Sequence, residues 1–358
     1  MTSPADGRRR RAAVVGTGLV GGSIGLALRD RGWYVTGRDR DPQRAEAALA
    51  RGAIDAVGQD PDAEVTFVAT PVGAVAAEVA AALRHGGVVT DVGSVKSSIV
   101  ARVDDPNFVG GHPMAGSELA GVEGADAELF ARCAWVLTPV AGTDPGAHSL
   151  VRSVVTSLGA EVLELAPADH DALVAVVSHV PHLTAAALMG LAADRAEANG
   201  ALLRLAAGGF RDMTRVAGGD PGIWPDICSE NASAIVELLS ALEGTLASLR
   251  HLVKGGDREG LLVALRRAQE ARVHLPGRVS DPGVMTELRV PVPDRPGVLA
   301  DITTLATELG VNIDHLEIVH SSEGEEGVVI LLVRSDRVLR LGRALIARGY
   351  VPSTRRLQ

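Results

Sequence analysis

The chain is strongly aliphatic, with 46% hydrophobic and only 3% aromatic residues, so its few clusters of Gly, His, Arg and Ser are where chemistry is to be sought. Three such clusters occur. The first is Asp91-Val92-Gly93-Ser94-Val95-Lys96. The second is Gly110-Gly111-His112-Pro113-Met114-Ala115-Gly116-Ser117-Glu118. The third is spread over Ser178-His179-Val180-Pro181-His182, then Gly208-Gly209-Phe210-Arg211-Asp212-Met213-Thr214-Arg215, then Trp224. A histidine exchanges protons near neutral pH and is the natural general base. An arginine presents a planar fork that matches a carboxylate. Each residue also has a plainer reading. Ser94 could cap a helix beginning near Ser97. Lys96 either assists a polar group of the substrate or is simply solvated. Arg215 could form a surface ion pair with Asp212, and Trp224 beside Pro225 could only pack. His179 and His182 have a spacing that suits a metal, but no further His/Asp/Glu cluster completes a set of ligands, so no metal is expected.

A fourth motif, Gly16-Thr17-Gly18-Leu19-Val20-Gly21, follows an apolar run and opens a helical one. In that context the three glycines read as a tight turn, a close backbone approach to a pyrophosphate, and a helix packed on its strand. The helix N-terminus adds free N–H groups and the positive end of its dipole. Asp39 lies about twenty residues on, where a carboxylate binds ribose hydroxyls and repels a 2′-phosphate. NAD is therefore expected over NADP, although Arg38 and Arg40 flank that carboxylate and soften the preference.

The elements that must position these residues alternate along the first half. Short apolar runs at Ala12–Val15, Trp33–Gly37, Val65–Ala69, Val88–Asp91, Phe108–Gly110, Trp135–Thr138 and Glu161–Leu165 alternate with amphipathic stretches. That pattern predicts an α/β domain at 12–166 with a Rossmann-type doubly wound parallel sheet covered on both faces. From 167 to 279 the texture is Ala- and Leu-rich and helical, apolar enough that some helices should bury against a second subunit. After a Pro/Gly/Ser/Asp linker, residues 286–355 read as a ferredoxin-like β-α-β-β-α unit. Residues 1–11, with basic Arg8 to Arg11, read as a disordered, solvated tail. The net charge of −9 offers no basic footprint for nucleic acid. No run looks apolar and uncharged for the roughly 20 residues a membrane span needs. With only Cys133 and Cys228, both in apolar surroundings, the expectation is a reduced, cytoplasmic, multi-domain protein.

Taken in order, these loops resemble those of the prephenate/arogenate dehydrogenase family over nearly the whole chain. The resemblance rests on the Gly-rich turn extended to Gly22-Ser23, the Asp-Val-Gly-Ser-Val-Lys loop, the Gly-His-Pro-Met-Ala-Gly-Ser-Glu loop, and the Gly-Phe-Arg-Asp-Met-Thr-Arg stretch. The C-terminal unit is similar to an ACT domain, with Asp294-Arg295-Pro296-Gly297-Val298-Leu299 as its turn and helix start. The resemblance implies NAD-dependent oxidative decarboxylation of prephenate, or of arogenate, whose extra ammonium would call for an acid such as Glu118, Glu123 or Asp126. It implies His112 as the catalytic base and Ser94 as its partner at the reacting hydroxyl. Arg215 is implied for the side-chain carboxylate, with His182, His179, Trp224, Lys96, Gly208 and Arg211 around the substrate. It further implies a homodimer or higher oligomer, and feedback by tyrosine through Asp294, Gly297 and Asn312.

Other readings are an amino-prephenate dehydrogenase of secondary metabolism and, from another enzyme class, an NAD-linked β-hydroxyacid dehydrogenase. The latter would normally rely on a lysine in the helical domain, where this chain offers histidines and arginine. A non-enzymatic NAD and amino-acid sensor would leave His112 without a purpose.

Overall fold

The computed structural model describes residues 9–116, 121–198, 200–273, 285–293, 295, 297–320 and 326–356. They fall into two compact units that part at Gly256. In the first unit β1 (Arg11–Val15), α1 (Leu19–Asp30), β2 (Tyr34–Arg38), α2 (Pro42–Ala50), β3 (Ala56–Val57), β4 (Val65–Val68), α3 (Val72–Leu83), β5 (Val88–Asp91), α4 (Ser97–Arg102), β6 (Phe108–Pro113), β7 (Ala134–Thr138), α5 (Pro145–Ser157) and β8 (Glu161–Glu164) follow in order. The strands line up as β3-β2-β1-β4-β5-β6-β7-β8. Neighbours from β3 through β6 are parallel, which requires the helical crossovers that the sequence supplies. The described chain between β6 and β7 carries only a short 3-10 turn at Val122–Gly124, and β7 returns antiparallel. That pairing extends β6 past Gly110 to Pro113 and puts His112 opposite Val136. The histidine expected on a loop is therefore on a strand.

The tail is shorter than expected. Arg11 opens β1 and pairs with Asp60 at 2.8 Å, Arg10 lies over the Trp33 ring at 4.0 Å, and Arg9 Nε donates to Gly32 O at 3.1 Å. These three arginines are held by carboxylates, carbonyls and rings, which corrects their assignment to a disordered tail; residues 1–8 lie outside the described part.

The helical part continues the first unit with α6 (Pro167–Val174), a π turn at Ala175–His179, α7 (Val180–Ala198), α8 (Gly208–Thr214), α9 (Trp224–Glu230) and α10 (Ala232–Gly255). The π turn has a local cause. Pro181 lacks an N–H and its ring clashes with the carbonyl four residues back, so the helix admits it by widening one turn. Widening re-aims Ser178 and His179. Two helices, Pro167–Glu197 and Ala232–Gly255, are long and apolar enough to cross a membrane by length and composition, at mean hydropathy 1.6 and 1.4. This corrects the expectation that no segment is: residues 172–193 hold no Asp, Glu, Lys or Arg, and in Ala232–Gly255 the charges at Glu237, Glu243 and Arg250 leave the mean hydropathy at that of a span. On α10, Val236, Leu246 and Val253 are exposed, an apolar face that the monomer leaves uncovered.

The second unit opens with α11 (Arg258–Val273), which the sequence reading assigns to the helical domain. Then come β9 (Met285–Pro293), α12 (Val298–Glu308), β10 (Ile313–His320), β11 (Glu326–Arg334), α13 (Ser335–Ala347) and β12 (Ser353–Arg356). The antiparallel sheet runs β10-β11-β9-β12 and buries Leu288, Val290, Leu331 and Val333 under Ile302, Leu341 and Leu345. The edge strand β12 completes the ferredoxin-like unit and was not anticipated. Gly297 sits at the N-terminus of α12 with φ +94°, and Asn312 is exposed just before β10; Asp294 lies outside the described residues.

The β5–β6 seam tolerates no added atom. A Cβ on Gly111 would stand 2.7 Å from Asp91 O and 2.8 Å from Thr90 Oγ1. Gly111→Ala is expected to destabilise the fold by about 1–3 kcal/mol through overpacking, read as a lowered urea midpoint at unchanged m-value.

Candidate active site

The Gly-rich turn has the shape a dinucleotide requires. Gly16 adopts φ +90°, and a Cβ there would lie 2.4 Å from Ala69 O. A Cβ on Gly21 would lie 1.9 Å from Gly16 O, so only glycine lets α1 sit this close to its turn. Gly18, by contrast, has no described atom within 4 Å of where its Cβ would be. It is the N-cap of α1 and makes no side-chain cap hydrogen bond, leaving the first-turn N–H groups around Leu19 and Val20 for an anion. Asp39 follows the last residue of β2 and accepts from Thr17 N at 2.9 Å and from Asp41 N at 3.0 Å. Its carboxylate is thus fixed beside the turn, as ribose recognition demands. Of the two flanking arginines, Arg38 pairs with Glu78 on α3 and Arg40 is exposed. These residues fit NAD: Gly16 to Gly21 would hold the pyrophosphate and Asp39 the adenosine ribose.

Beside this cradle, at the ends of β5 and β6, lies a fully buried ion pair between Lys96 and Asp91. Lys96 Nζ also donates to Gly111 O at 2.8 Å. Asp91 accepts from Gly93 N at 2.8 Å and from Gly111 N at 3.1 Å. Burial pulls the ammonium down from its ordinary value, and Asp91 opposes the shift. Lys96 is therefore not solvated, which corrects that reading of it. Its role is to clamp the tip of β6, and with it His112, to β5.

His112 Nδ1 lies 2.8 Å from His170 Nε2, and His170 Nδ1 lies 2.8 Å from Asp171 Oδ1. The same carboxylate accepts from Lys96 N and Ser97 N at 2.8 Å each, so Asp171 rather than Ser94 serves the N-terminus of α4. Burial pushes the Asp171 carboxyl up, but the donors from His170, Ser97 and Lys96 outweigh it and hold it below the usual range. A carboxylate only accepts, so His170 carries its proton on Nδ1. In the uncharged pair His170 Nε2 then accepts from His112 Nδ1–H, and His112 Nε2 is left with a bare lone pair. Burial, with His170 and Lys96 nearby, drives the His112 pKa well below 6.5, only partly offset by Asp171. Ser94 Oγ is buried with no hydrogen-bond partner among the described residues.

On the helical side, Asn231 Nδ2 lies 2.8 Å from Asp171 O and 3.2 Å from His179 Nδ1. His182 stacks on Trp224 with centroids 3.6 Å apart, and His179 meets the same ring edge-on at 6.2 Å. Arg215 closes α8 and is exposed, as are Gly208 and Arg211, whose Nε donates to Ala206 O at 3.1 Å. The stretch from α8 to Gly218 packs on α7. The site thus gathers His112, His179, His182 and Trp224 around a buried web. His170, Asp171 and Asn231 belong to that web and were missed. The adjacent His-Asp pair in an aliphatic run was the available signal for the first two.

A Gly-rich dinucleotide-type turn with a fixed carboxylate beside it, joined to a half-buried imidazole held as a proton acceptor, defines a nicotinamide-dependent dehydrogenase. Comparison with known proteins carries this further. Residues 24–164 match the nucleotide-binding domain of prephenate dehydrogenase, 166–267 its dimerization domain, and 286–346 an ACT domain. The chain is 33% identical to the prephenate dehydrogenase of Bacillus subtilis over 340 residues, covering 90% of this chain and 92% of that one. Among solved structures, Aquifex aeolicus prephenate dehydrogenase in complex with hydroxyphenyl propionate and NAD+ matches at TM-score 0.70 and 30% identity, over 76% of this chain and 100% of that one. Synechocystis arogenate dehydrogenase matches at TM-score 0.63 and 34% identity, over 73% and 98%. The chain belongs to the prephenate dehydrogenase family.

Two substitutions separate clamp from chemistry. Lys96→Met leaves Asp91 buried and unpaired and is expected to lose about 3–5 kcal/mol of stability. Adding Asp91→Asn to it should recover part of that loss. Urea titrations of the two variants read the difference.

Proposed function

We propose that the chain oxidises and decarboxylates prephenate to 4-hydroxyphenylpyruvate with NAD. The observation that carries this is the bare Nε2 of His112, presented by a chain of proton donors that starts at Asp171. The C4 hydroxyl of the substrate donates to that nitrogen and Ser94 Oγ completes its orientation. NAD, when bound, accepts the C4 hydride. As the hydroxyl proton passes to His112, the C4–O bond gains carbonyl character. Loss of the ring carboxylate as CO2 returns its electron pair to the ring, and the resulting phenol oxygen recovers the proton. Aromatisation drives the sequence. Arg215 takes the side-chain carboxylate, with His182 and Trp224 forming a flat wall against the ring, and Gly208 and Arg211 shaping the segment that carries Arg215.

The likeness to Synechocystis arogenate dehydrogenase keeps arogenate as a second substrate. Of the acids that could meet its ammonium, Glu123 and Asp126 follow the Gly121 turn, and Glu118 lies outside the described residues. The ACT domain binds tyrosine near Gly297 and Asn312 as a feedback effector. A second copy of the chain covers the apolar faces of α7 and α10, which fall in the stretch matched by the dimerization domain, and the enzyme works in the cytoplasm as that dimer.

The deciding assay is NADH formation from prephenate and arogenate, side by side, with and without tyrosine. Turnover of prephenate is expected, with inhibition by tyrosine; turnover of arogenate alone would transfer the function to that substrate, and silence with both would overturn it. His112→Asn is expected to lower kcat by a factor of about 10^2–10^4, the usual worth of a positioned base, while NAD still binds. Because the folded His112 stays unprotonated at its ordinary midpoint, kcat/KM should hold steady through pH 6.5 and fall only below it. An acid limb at or above 6.5 would contradict the assignment. Asp39→Ala should raise the use of NADP relative to NAD in the same assay.

A further inference from the structure

Asn231 occupies the N-cap of α10, a position where an asparagine side chain normally accepts from the first turn of its helix. Here it makes no cap hydrogen bond. Its amide instead reaches Asp171 O at 2.8 Å and His179 Nδ1 at 3.2 Å, all three groups being buried. A main-chain carbonyl cannot donate, so the amide atom facing it is the NH2 group, and that group has two protons. One goes to Asp171 O. The other points at His179 Nδ1, which must offer a lone pair to receive it. The proton of the neutral imidazole is then on Nε2. That nitrogen is buried and has no partner among the described residues, in a ring only 1% exposed. A buried N–H without an acceptor is an unpaired group that a ligand would satisfy.

We propose that Asn231 is a positioning residue that fixes the His179 proton on Nε2 and so makes His179 a hydrogen-bond donor to an acceptor oxygen of the substrate. Asp171 thereby holds two histidines in opposite states. Through its carboxylate and His170 it leaves His112 as an acceptor; through its main-chain oxygen and Asn231 it leaves His179 as a donor. Burial keeps His179 uncharged, with its pKa down to about 4 although Asp171 opposes the shift. The ring lies T-shaped to Trp224 at 6.2 Å, the same indole on which His182 stacks, so its unpaired N–H lies beside the wall assigned to the substrate. Once the C4 hydroxyl has donated to His112, the oxygens left on prephenate are carboxylates and a ketone, which only accept. The donor role rests on the prephenate reading; the position of the proton does not.

The test uses the full-length protein carrying 15N-labelled histidine. Two-bond 1H–15N correlation at neutral pH reads which ring nitrogen is protonated, and His179→Gln identifies the His179 signals by their loss. The expected pattern is a protonated Nε2 and a bare Nδ1 in the parent, with the proton shared between both nitrogens in Asn231→Leu. A proton on Nδ1 in the parent, or an unchanged pattern in the variant, would overturn the proposal. Kinetics test the donor separately, even where Asn231→Leu folds poorly. In His179→Gln the amide nitrogen stands where imidazole Nε2–H stood, so the prephenate KM should stay within about threefold of the parent. In His179→Phe it should rise about tenfold or more, the worth of one hydrogen bond to a charged acceptor, with the NAD KM unmoved. Equal losses in both variants would remove the donor. A protein that turns over no prephenate would overturn the substrate reading and the donor role with it, while the spectra still decide the proton.

Discussion

Everything in this site depends on one carboxylate being buried at the right helix end. Asp171 on α6 accepts from two backbone N–H groups at the start of α4 and from the ring of His170. Burial alone would favour the neutral acid, and an acid could donate as well as accept. The converging donors reverse that preference, hold the group ionised, and so fix the direction of every hydrogen bond that leaves it. The linkage to stability has one sign. A carboxyl depressed in the folded state stabilises the fold above its ordinary range, and that contribution is lost as the pH falls through the depressed value. The α4 contact, the His170 orientation and the coupling of the helical part to the sheet then weaken together, because one proton cancels all three.

The Lys96–Asp91 pair stands behind this arrangement and answers a different need. A buried ion pair seldom adds net stability over a well-packed apolar pair, since desolvation offsets most of the attraction. What it adds here is register. Asp91 takes the N–H of Gly111 and Lys96 takes its carbonyl, so both polar atoms of the residue before His112 are held, one from the end of β5 and one from the start of α4. The antiparallel return of β7 holds His112 from the other side. An imidazole on such a strand has little freedom to move, whereas one on a loop would lose orientation with each fluctuation.

The parts of the fold legible in the sequence were those written in local pattern. The Gly-rich turn, the strands that follow the apolar runs and the helical texture after residue 167 depend on neighbours a few positions apart. The limits of β6 did not, because Gly111-His112-Pro113 becomes a strand only by pairing with β7. Arg9 to Arg11 read as a tail since their partners, Gly32, Trp33 and Asp60, are distant in sequence. Lys96 read as either a substrate contact or a solvated cation because nothing nearby announces that Asp91 will be buried against it. His112 was read from a whole motif, and His182 and Trp224 from the resemblance around it. His170, Asp171 and Asn231 form no motif, and their importance appears only when α6, α4 and the start of α10 converge.

That convergence also relates the site to the surface. Asn231 immediately precedes α10, whose apolar side chains Val236, Leu246 and Val253 face outward. A helix with so little of itself buried in its own unit is held over its N-terminal half, where Ile235, Leu238, Leu239 and Leu242 pack, and the amide of Asn231 meets His179 at the start of that half. With a second copy over the rest of α10, the helix would be held along its length and the amide would keep its aim. Left uncovered, the same helix could fray or shift, and the donor state of His179 would be the first feature of the site to be lost. His112, secured between strands of the sheet, would survive that loss, so catalysis and substrate binding in this fold need not fail together.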